Sequence, residues 1–413
     1  MYKIITLNLI FVLLQQFSIN AQDSLSIKTL SINGEKLPFE EKKKLWYESF
    51  TIRGYAQARY NRLFETNNQL GCEQCDKSWG GNGGFFFRRI RFIYFGQLSK
   101  QVYFYIQPDF ASSASTNGLH FAQIRDAYFD IGLDAENEFR IRIGQSKVPF
   151  GFENMQSSQN RLPLDRNDAL NSAVSNERDI GVFFYWAPKK IRDRFLMLVR
   201  ENYKGSGDYG VFGLGAYNGQ TANKPELNNE FHIVARICYP LEIGSQIIEP
   251  AVQGFTGNYL IPKDQITPGV KTKSDLNYLD HRAAASLVLY PKPFGFTAEY
   301  NIGIGPEYNK ITNAIEERPL KGGYITFNYM VKLKKQILFP FIRTQYYSGG
   351  KKHEKDSRSY VVHENEFGFE WQPSKNFELV VMYTMSSRRY EDGGLKNNLQ
   401  VGNLLRLQAQ VNF

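Results

Sequence analysis

Arginine recurs at every second position in several stretches of the chain. Arg53 and Arg59 alternate with Ile52, Gly54, Ala56, Ala58 and Tyr60. Arg89 and Arg91 stand opposite Phe86, Ile90, Phe92 and Tyr94, with Arg88 falling on the apolar side. Arg140 and Arg142 alternate with Phe139, Ile141 and Ile143, Arg236 with Ala235 and Ile237, and Arg406 with Leu405 and Leu407. Arg343 joins them from a stretch that alternates less cleanly. A guanidinium is a permanent cation whose planar fork of donors matches phosphate or carboxylate oxygens. A row of them along one wall would concentrate anions and guide them. The competing reading pairs these arginines with acids of the same phase, Asp126, Asp130, Glu366 and Glu370, which stiffens the wall and cancels its field.

A period of two places successive side chains on opposite faces of a strand. The last stretch is the clearest, with Leu405, Leu407, Ala409, Val411 and Phe413 on one face and Arg406, Gln408, Gln410 and Asn412 on the other. Either a soluble sandwich or a transmembrane barrel can use one apolar and one polar face. Segment lengths of about 9 to 11 residues suit a tilted membrane strand. Connections also alternate: short at 99–100, 134–137, 240–242, 291–295, 331–336 and 372–375, long at 61–84, 147–178, 257–280, 304–320, 348–360 and 387–401. Short turns at one end and long loops at the other describe an outer-membrane barrel. The predicted fold is therefore all-β, a closed transmembrane antiparallel β-barrel. The best even strand count is 16: 50–60, 85–98, 101–110, 121–133, 138–146, 179–187, 210–218, 231–239, 243–256, 281–290, 296–303, 321–330, 337–347, 361–371, 376–386 and 402–413. Residues 192–208 fall where a short turn is expected. There Phe195 to Val199 reads as an extra strand or part of a hairpin, so counts of 14 and 18 stay open.

Three domains follow. Residues 1–21 read as a secretory signal peptide, basic at Lys3, apolar over 4–14 and closing on Ala21. Residues 22–49 form a short periplasmic leader, and 50–413 form the barrel. A barrel of this size encloses an aqueous channel, not a packed core. Residues 147–178 are long enough to fold inward and narrow it. Lys147, Arg161, Asp165, Arg166, Asp168, Glu177 and Arg178 are its candidate constriction charges. Cys72 and Cys75 form a C-x-x-C in a glycine-rich loop with no helix to follow, which favours a small surface disulfide over a redox or metal centre. Cys238 reads as a small packed strand residue.

The composition excludes several classes. The chain is 42% apolar and 15% aromatic, with 32 Phe and 25 Tyr, too apolar for disorder and too polar for a bundle of membrane helices. The net charge of +9 permits anionic partners, but the basic residues form no helix face or stacking platform for nucleic acid. Five histidines and no Gly-x-Ser-x-Gly offer little to a hydrolase. Nothing calls for a cofactor or a metal. A leader of 22–49 is too short for the plug of an energy-coupled receptor. The remaining alternative is a surface-binding or adhesive barrel, working through the Cys72–Cys75 loop and the basic segment Lys351, Lys352 and His353.

The stretch Gly144-Gln145-Ser146-Lys147-Val148-Pro149-Phe150-Gly151 resembles a block of the phosphate-selective porins O and P, in which a strand closes on Gly-x-x-Lys-x-Pro-Phe-Gly. Asn176-Glu177-Arg178-Asp179-Ile180-Gly181-Val182 is similar to the start of that family's next strand, and Ala216-Tyr217-Asn218-Gly219 to its aromatic-Asn-Gly before a loop. The resemblance spans about residues 50–413. It implies a 16-stranded outer-membrane barrel, a homotrimer, an inward-folded third loop and passive uptake of small anions such as phosphate. Phe413 on the last strand resembles the ending of clients of the barrel assembly machinery. The partners expected are thus small anionic solutes, outer-membrane lipid, that machinery and two further copies of the chain. The family's dense lysine cluster is not evident: Lys332, Lys334 and Lys335 sit in a turn.

Overall fold

The computed structural model describes residues 46–75, 79, 84–111, 120–175 and 177–413. The signal peptide and nearly all of the leader lie outside the described residues. From Phe50 onward the alternating stretches become one antiparallel sheet that closes on itself. Its strands are β1 (Phe50–Leu63), β2 (Phe85–Gln97), β3 (Val102–Ala111), β4 (Phe121–Gly132), β5 (Phe139–Lys147), β6 (Arg178–Trp186), β7 (Phe212–Tyr217) and β8 (His232–Cys238). They continue as β9 (Gln246–Leu260), β10 (Asn277–Leu289), β11 (Phe294–Asn309), β12 (Ala314–Tyr329), β13 (Gln336–Gly350), β14 (Ser359–Ser374), β15 (Phe377–Glu391) and β16 (Leu399–Asn412). Short segments, Leu241–Ile243 and Val331–Leu333, prolong β8 and β12 into their turns. The wall therefore has 16 strands. It closes where β16 pairs with β1, Asn412 opposite Tyr55 and Leu407 opposite Tyr60. Closure removes the sheet edges that a bilayer could not solvate.

Burial is inverted relative to a soluble protein. Ile52, Phe92, Ile237, Val252, Ile302 and Val411 are exposed, while Arg59, Arg343, Arg388 and Arg406 are fully buried. The exposed face is the lipid face and the buried one lines the lumen. Among the described residues no helix is long and apolar enough to cross a membrane.

Two bulges adjust the pattern read from the sequence. Between β1 and β2, Gln57 faces Arg89 and Ala58 faces Phe87, leaving Arg88 as the extra residue. The phase flips there, so Phe86 is buried on the lumen side, not beside Ile90 on the lipid side. Between β3 and β4, Gln107 faces Asp126 and Pro108 faces Ile124, leaving Arg125 extra. Proline cannot donate to the ladder, and a bulge is where a strand tolerates it. The consequence is that Arg125 and Asp126, neighbours in sequence, are both buried inside.

Three other expectations change. Residues 304–320, expected as a loop, are mostly strand, because β11 and β12 stay paired from Phe294↔Tyr329 to Asn309↔Ala314. Lys351 and Lys352, expected on a binding surface, turn inward and are buried. Phe195 to Val199 is no strand but lies within a helix, Lys189–Arg200, described below.

Candidate functional site

The segment between β5 and β6 fills the middle of the lumen. It holds two short helices, α1 (Phe152–Met155) and α2 (Asp168–Ala173). Val148, Phe150, Leu170 and Val174 pack on Phe183, Tyr217, Val234 and Phe255 of one wall. Leu162 and Leu164 pack on Met330, Phe339, Phe341, Val380 and Met382 of the other. The loop therefore crosses the channel from side to side. Each fully buried apolar side chain of this kind stabilises the docked loop by about 1.5–3 kcal/mol.

Polar contacts fix its path. Lys147 donates to the carbonyls of Met155 at 2.9 Å and Gln156 at 2.8 Å, folding the Val-Pro-Phe-Gly turn back on its strand. Asn167 caps α2 by accepting from Leu170 N at 3.0 Å. The Glu153 carboxylate accepts from Asn167 N at 2.8 Å and from Arg343 at 2.9 Å. Gly151 has φ 83°, and a Cβ there would lie 2.2 Å from a Leu170 methyl. Gly151→Ala should cost more than about 1 kcal/mol by strain alone. Faster protease cleavage within 148–177, with the barrel still resisting detergent, would be its readout.

The expected charges are brought together, but mostly as pairs. Asp165 meets Arg59 at 3.6 Å and also binds Arg406. Arg406 further contacts Glu366 at 3.4 Å, and Arg343 meets Glu366 at 2.5 Å. Arg142 holds Asp130 through two bonds of 2.7 and 2.9 Å, and Arg91 holds Asp109 at 2.8 Å. Arg140 pairs with Asp208 and Arg236 with Glu249, both at 2.8 Å. Arg178 binds Asp126 at 2.8 Å and also Glu177, which takes Arg166 at 3.1 Å and Arg161 at 3.5 Å. Asp168 binds Arg388 at 2.8 Å together with Lys351. Burial alone would raise the Asp168 carboxyl, but Arg388 and Lys351 outweigh it and hold it down at about 2. Arg53 is apart from this network, exposed near the short-turn end over the Phe95 ring at 5.4 Å.

Arg89 is different. It is buried and donates to Gln57 at 2.9 Å, but among the described residues no carboxylate pairs with it, whereas Arg140 and Arg236, whose Nε atoms are likewise without partners, each hold an acid. Arg88 and Arg91, its neighbours on β2, are cations as well. Together with Arg59 on β1 and Arg125 on β4 they make the β1–β4 wall rich in arginine, set against Asp109, Asp126 and Asp130 on β3 and β4. The acids Glu364, Glu366 and Glu370 lie on β14, and Glu299 on β11. The alternation rule could not find Arg88 and Arg125, because both are bulge residues. Arg282, Arg388 and Glu153 were also missed; the first two do lie in alternating runs.

The outer loops add to the plug. Cys72 and Cys75 are disulfide-bonded. They pack with Leu70, Trp79 and Leu404. Trp79 stacks against Arg388 at 4.7 Å and Arg406 at 5.1 Å and donates to Asp165 at 3.4 Å. Among the described residues no group of three or more His, Cys, Asp or Glu is placed to hold a metal ion.

A closed 16-stranded barrel with an apolar outside, a charged lumen and a loop folded across it is an outer-membrane porin. The family model for phosphate-selective porins O and P matches residues 65–413, and the chain belongs to that family. Passage of solute, not catalysis, is the function this class defines. No curated protein matches the chain in sequence. Among solved structures, it is similar to the outer membrane channel DcaP of Acinetobacter baumannii, at 15% identity and TM-score 0.54, over 88% of this chain and 97% of that one. It is also similar to an anion-selective porin from Comamonas acidovorans, at 9% identity and TM-score 0.53, over 88% and 99%. OmpF of Salmonella typhi in complex with daunomycin aligns at 12% identity and TM-score 0.53, over 89% and 99%. At these identities the likeness is one of fold.

Proposed function

We propose that the channel passes small anions, phosphate among them, by unassisted diffusion, and that Arg89 is their principal contact in the lumen. The observation that carries this is the setting of Arg89: a buried guanidinium with an unused Nε donor, hydrogen-bonded to the neutral Gln57 and with no carboxylate ion-paired to it among the described residues. Arg91, Arg140, Arg142, Arg236, Arg343 and Arg406 are matched by carboxylates and contribute structure more than field. An anion entering beside Arg88, Arg89 and Arg91 would exchange part of its hydration shell for guanidinium donors. It would leave again because the contact is shared over several residues. The family match, the anion-selective porin among similar folds and the net charge of +9 support the same direction. The assembly proposed is a homotrimer delivered by the barrel assembly machinery.

Arg89→Gln keeps a hydrogen-bonding side chain and removes the charge. In planar bilayers under a KCl gradient, the wild type should reverse on the anion side, with current reduced by added phosphate. The variant should lose about tenfold in apparent phosphate affinity, the 1.4 kcal/mol expected of one charge-assisted hydrogen bond. Unchanged selectivity and unchanged phosphate sensitivity would remove Arg89 from this role.

A further inference from the structure

The strands β6 and β7 are paired as far as Trp186 opposite Phe212, a register that a few residues could close. Instead residues 187–211 intervene at the end of the barrel that carries the short turns, the periplasmic end. They contain α3 (Lys189–Arg200), whose apolar face turns into the lumen. Ile191 and Phe195 pack with Val211, Cys238 and Ala251, and Leu198 packs with Phe152, Ile247, Val288 and Tyr290. Phe152 belongs to α1 of the constriction loop, so the two inserts meet inside the channel.

Beyond α3 the chain crosses towards the opposite wall. Asn202 donates to Gln372 at 2.6 Å, and Lys204 reaches Glu370 at 2.5 Å. The Lys204 carbonyl accepts from Gln156 of the constriction loop at 2.7 Å. Asp208 returns the chain to its own side through Arg140 at 2.8 Å and Arg192 at 2.9 Å. The cavity between the inserts, lined by Glu153, Gln156, Leu162, Tyr203, Lys204 and Tyr290, has only about 30 Å³ of room. That is room for about two water molecules.

We propose that residues 187–211 form a second constriction, stacked beneath the loop that enters from outside, and that Lys204 is the charge a solute meets there. A solute that clears the first insert must pass the second before reaching the periplasm. Lys204 sits against a wall that carries Glu370 and, on the next strand, Glu378. Its ammonium is what keeps that step from repelling anions. This role depends on the channel and not on its overall ion preference, so it can fail while Arg89 stands, and the reverse.

Two variants of the full chain test it in planar bilayers. In the first, residues 188–210 are replaced by a short Asn-Gly turn. Single-channel conductance should rise at least about twofold, since one of two restrictions in series is gone. The second, Lys204→Cys, keeps the connector and is treated with a bulky anionic thiol reagent. The current should fall on modification, while the wild type, whose free thiol Cys238 is buried, should not respond. Wild-type conductance from a folded shortened barrel would overturn the proposal. So would a thiol at position 204 that the reagent cannot reach, or that is modified without loss of current. If the shortened chain does not fold, the thiol variant decides alone.

Discussion

Asp168→Asn should loosen the constriction loop and leave the barrel standing. The Asp168 carboxylate is the joint between α2 and the wall: it binds Arg388 of β15 at 2.8 Å and Lys351 of the outer loop between β13 and β14, while its amide donates to Gln345 of β13 at 2.8 Å. Removing one partner of a buried ion pair costs about 3–5 kcal/mol, because the cation left behind stays desolvated. Arg388 keeps Glu364 at 3.0 Å and Lys351 keeps Glu354 at 3.9 Å, which places the loss near the lower figure. The shape of the side chain is preserved, so the effect reads charge and not packing. The expected result is an open-channel current with higher conductance and more noise, and protease cleavage within 148–177. The wild type itself should show a pH dependence of the same origin. Because the Asp168 carboxyl is held down at about 2, its contribution is present above the unfolded value near 3.9 and is lost as pH falls through about 2. The acid-induced loosening should be absent from the asparagine variant. Asp193→Asn is the control: its pair with Lys189 at 2.8 Å is exposed on both sides and should not change the current measurably.

The barrel was legible because a membrane wall is a local property of sequence. Each strand must show lipid one face and water the other, and runs such as Leu405 to Phe413 record that residue by residue. Even the count of 16 follows from the spacing of such runs. What defeated the reading was irregularity of two kinds. A bulge adds one residue and reverses the phase, so Phe86 changed sides and Arg88 and Arg125 joined the lumen unannounced. A short apolar run cannot by itself separate strand from helix. Phe195 to Val199 looks like a strand in isolation, but Ile191, Phe195 and Leu198 at helical spacing, with charged residues between them, mark one face of α3. The constriction loop was legible from its length and its mixed charges only as a position. Which acid meets which arginine is set by contacts distant in sequence, 241 residues apart for Arg406 and Asp165, and no pattern along the chain records that.

Leu407→Arg should prevent stable insertion, and it discriminates the lipid face from the lumen more sharply than any lumen substitution can. Leu407 lies midway along β16, with Tyr60 of β1 on one side and Val381 of β15 on the other. Its neighbours Arg406 and Gln408 are buried in the lumen, so the strand geometry turns Leu407 outward. An arginine near the bilayer midplane costs about 2–4 kcal/mol on a barrel's lipid face. The position sharpens the penalty. Pairing of β16 with β1 is what closes the sheet, through bonds such as Gly54 N to Phe413 O at 2.7 Å. Destabilising this seam leaves two unpaired edges, which a bilayer tolerates less than a weakened strand elsewhere. Folding into lipid vesicles, followed by the mobility shift on heating that marks a closed barrel, should show a yield well below wild type for Leu407→Arg. Gln408→Glu, one residue away and still able to accept from Arg59 in the lumen, where the glutamine does so at 2.7 Å, should insert normally and act through the channel instead. Equal yields from the two would mean that the face exposed here is not the face that meets lipid. Failure of the outward variant alone ties the alternation read from the sequence to the membrane that selects it.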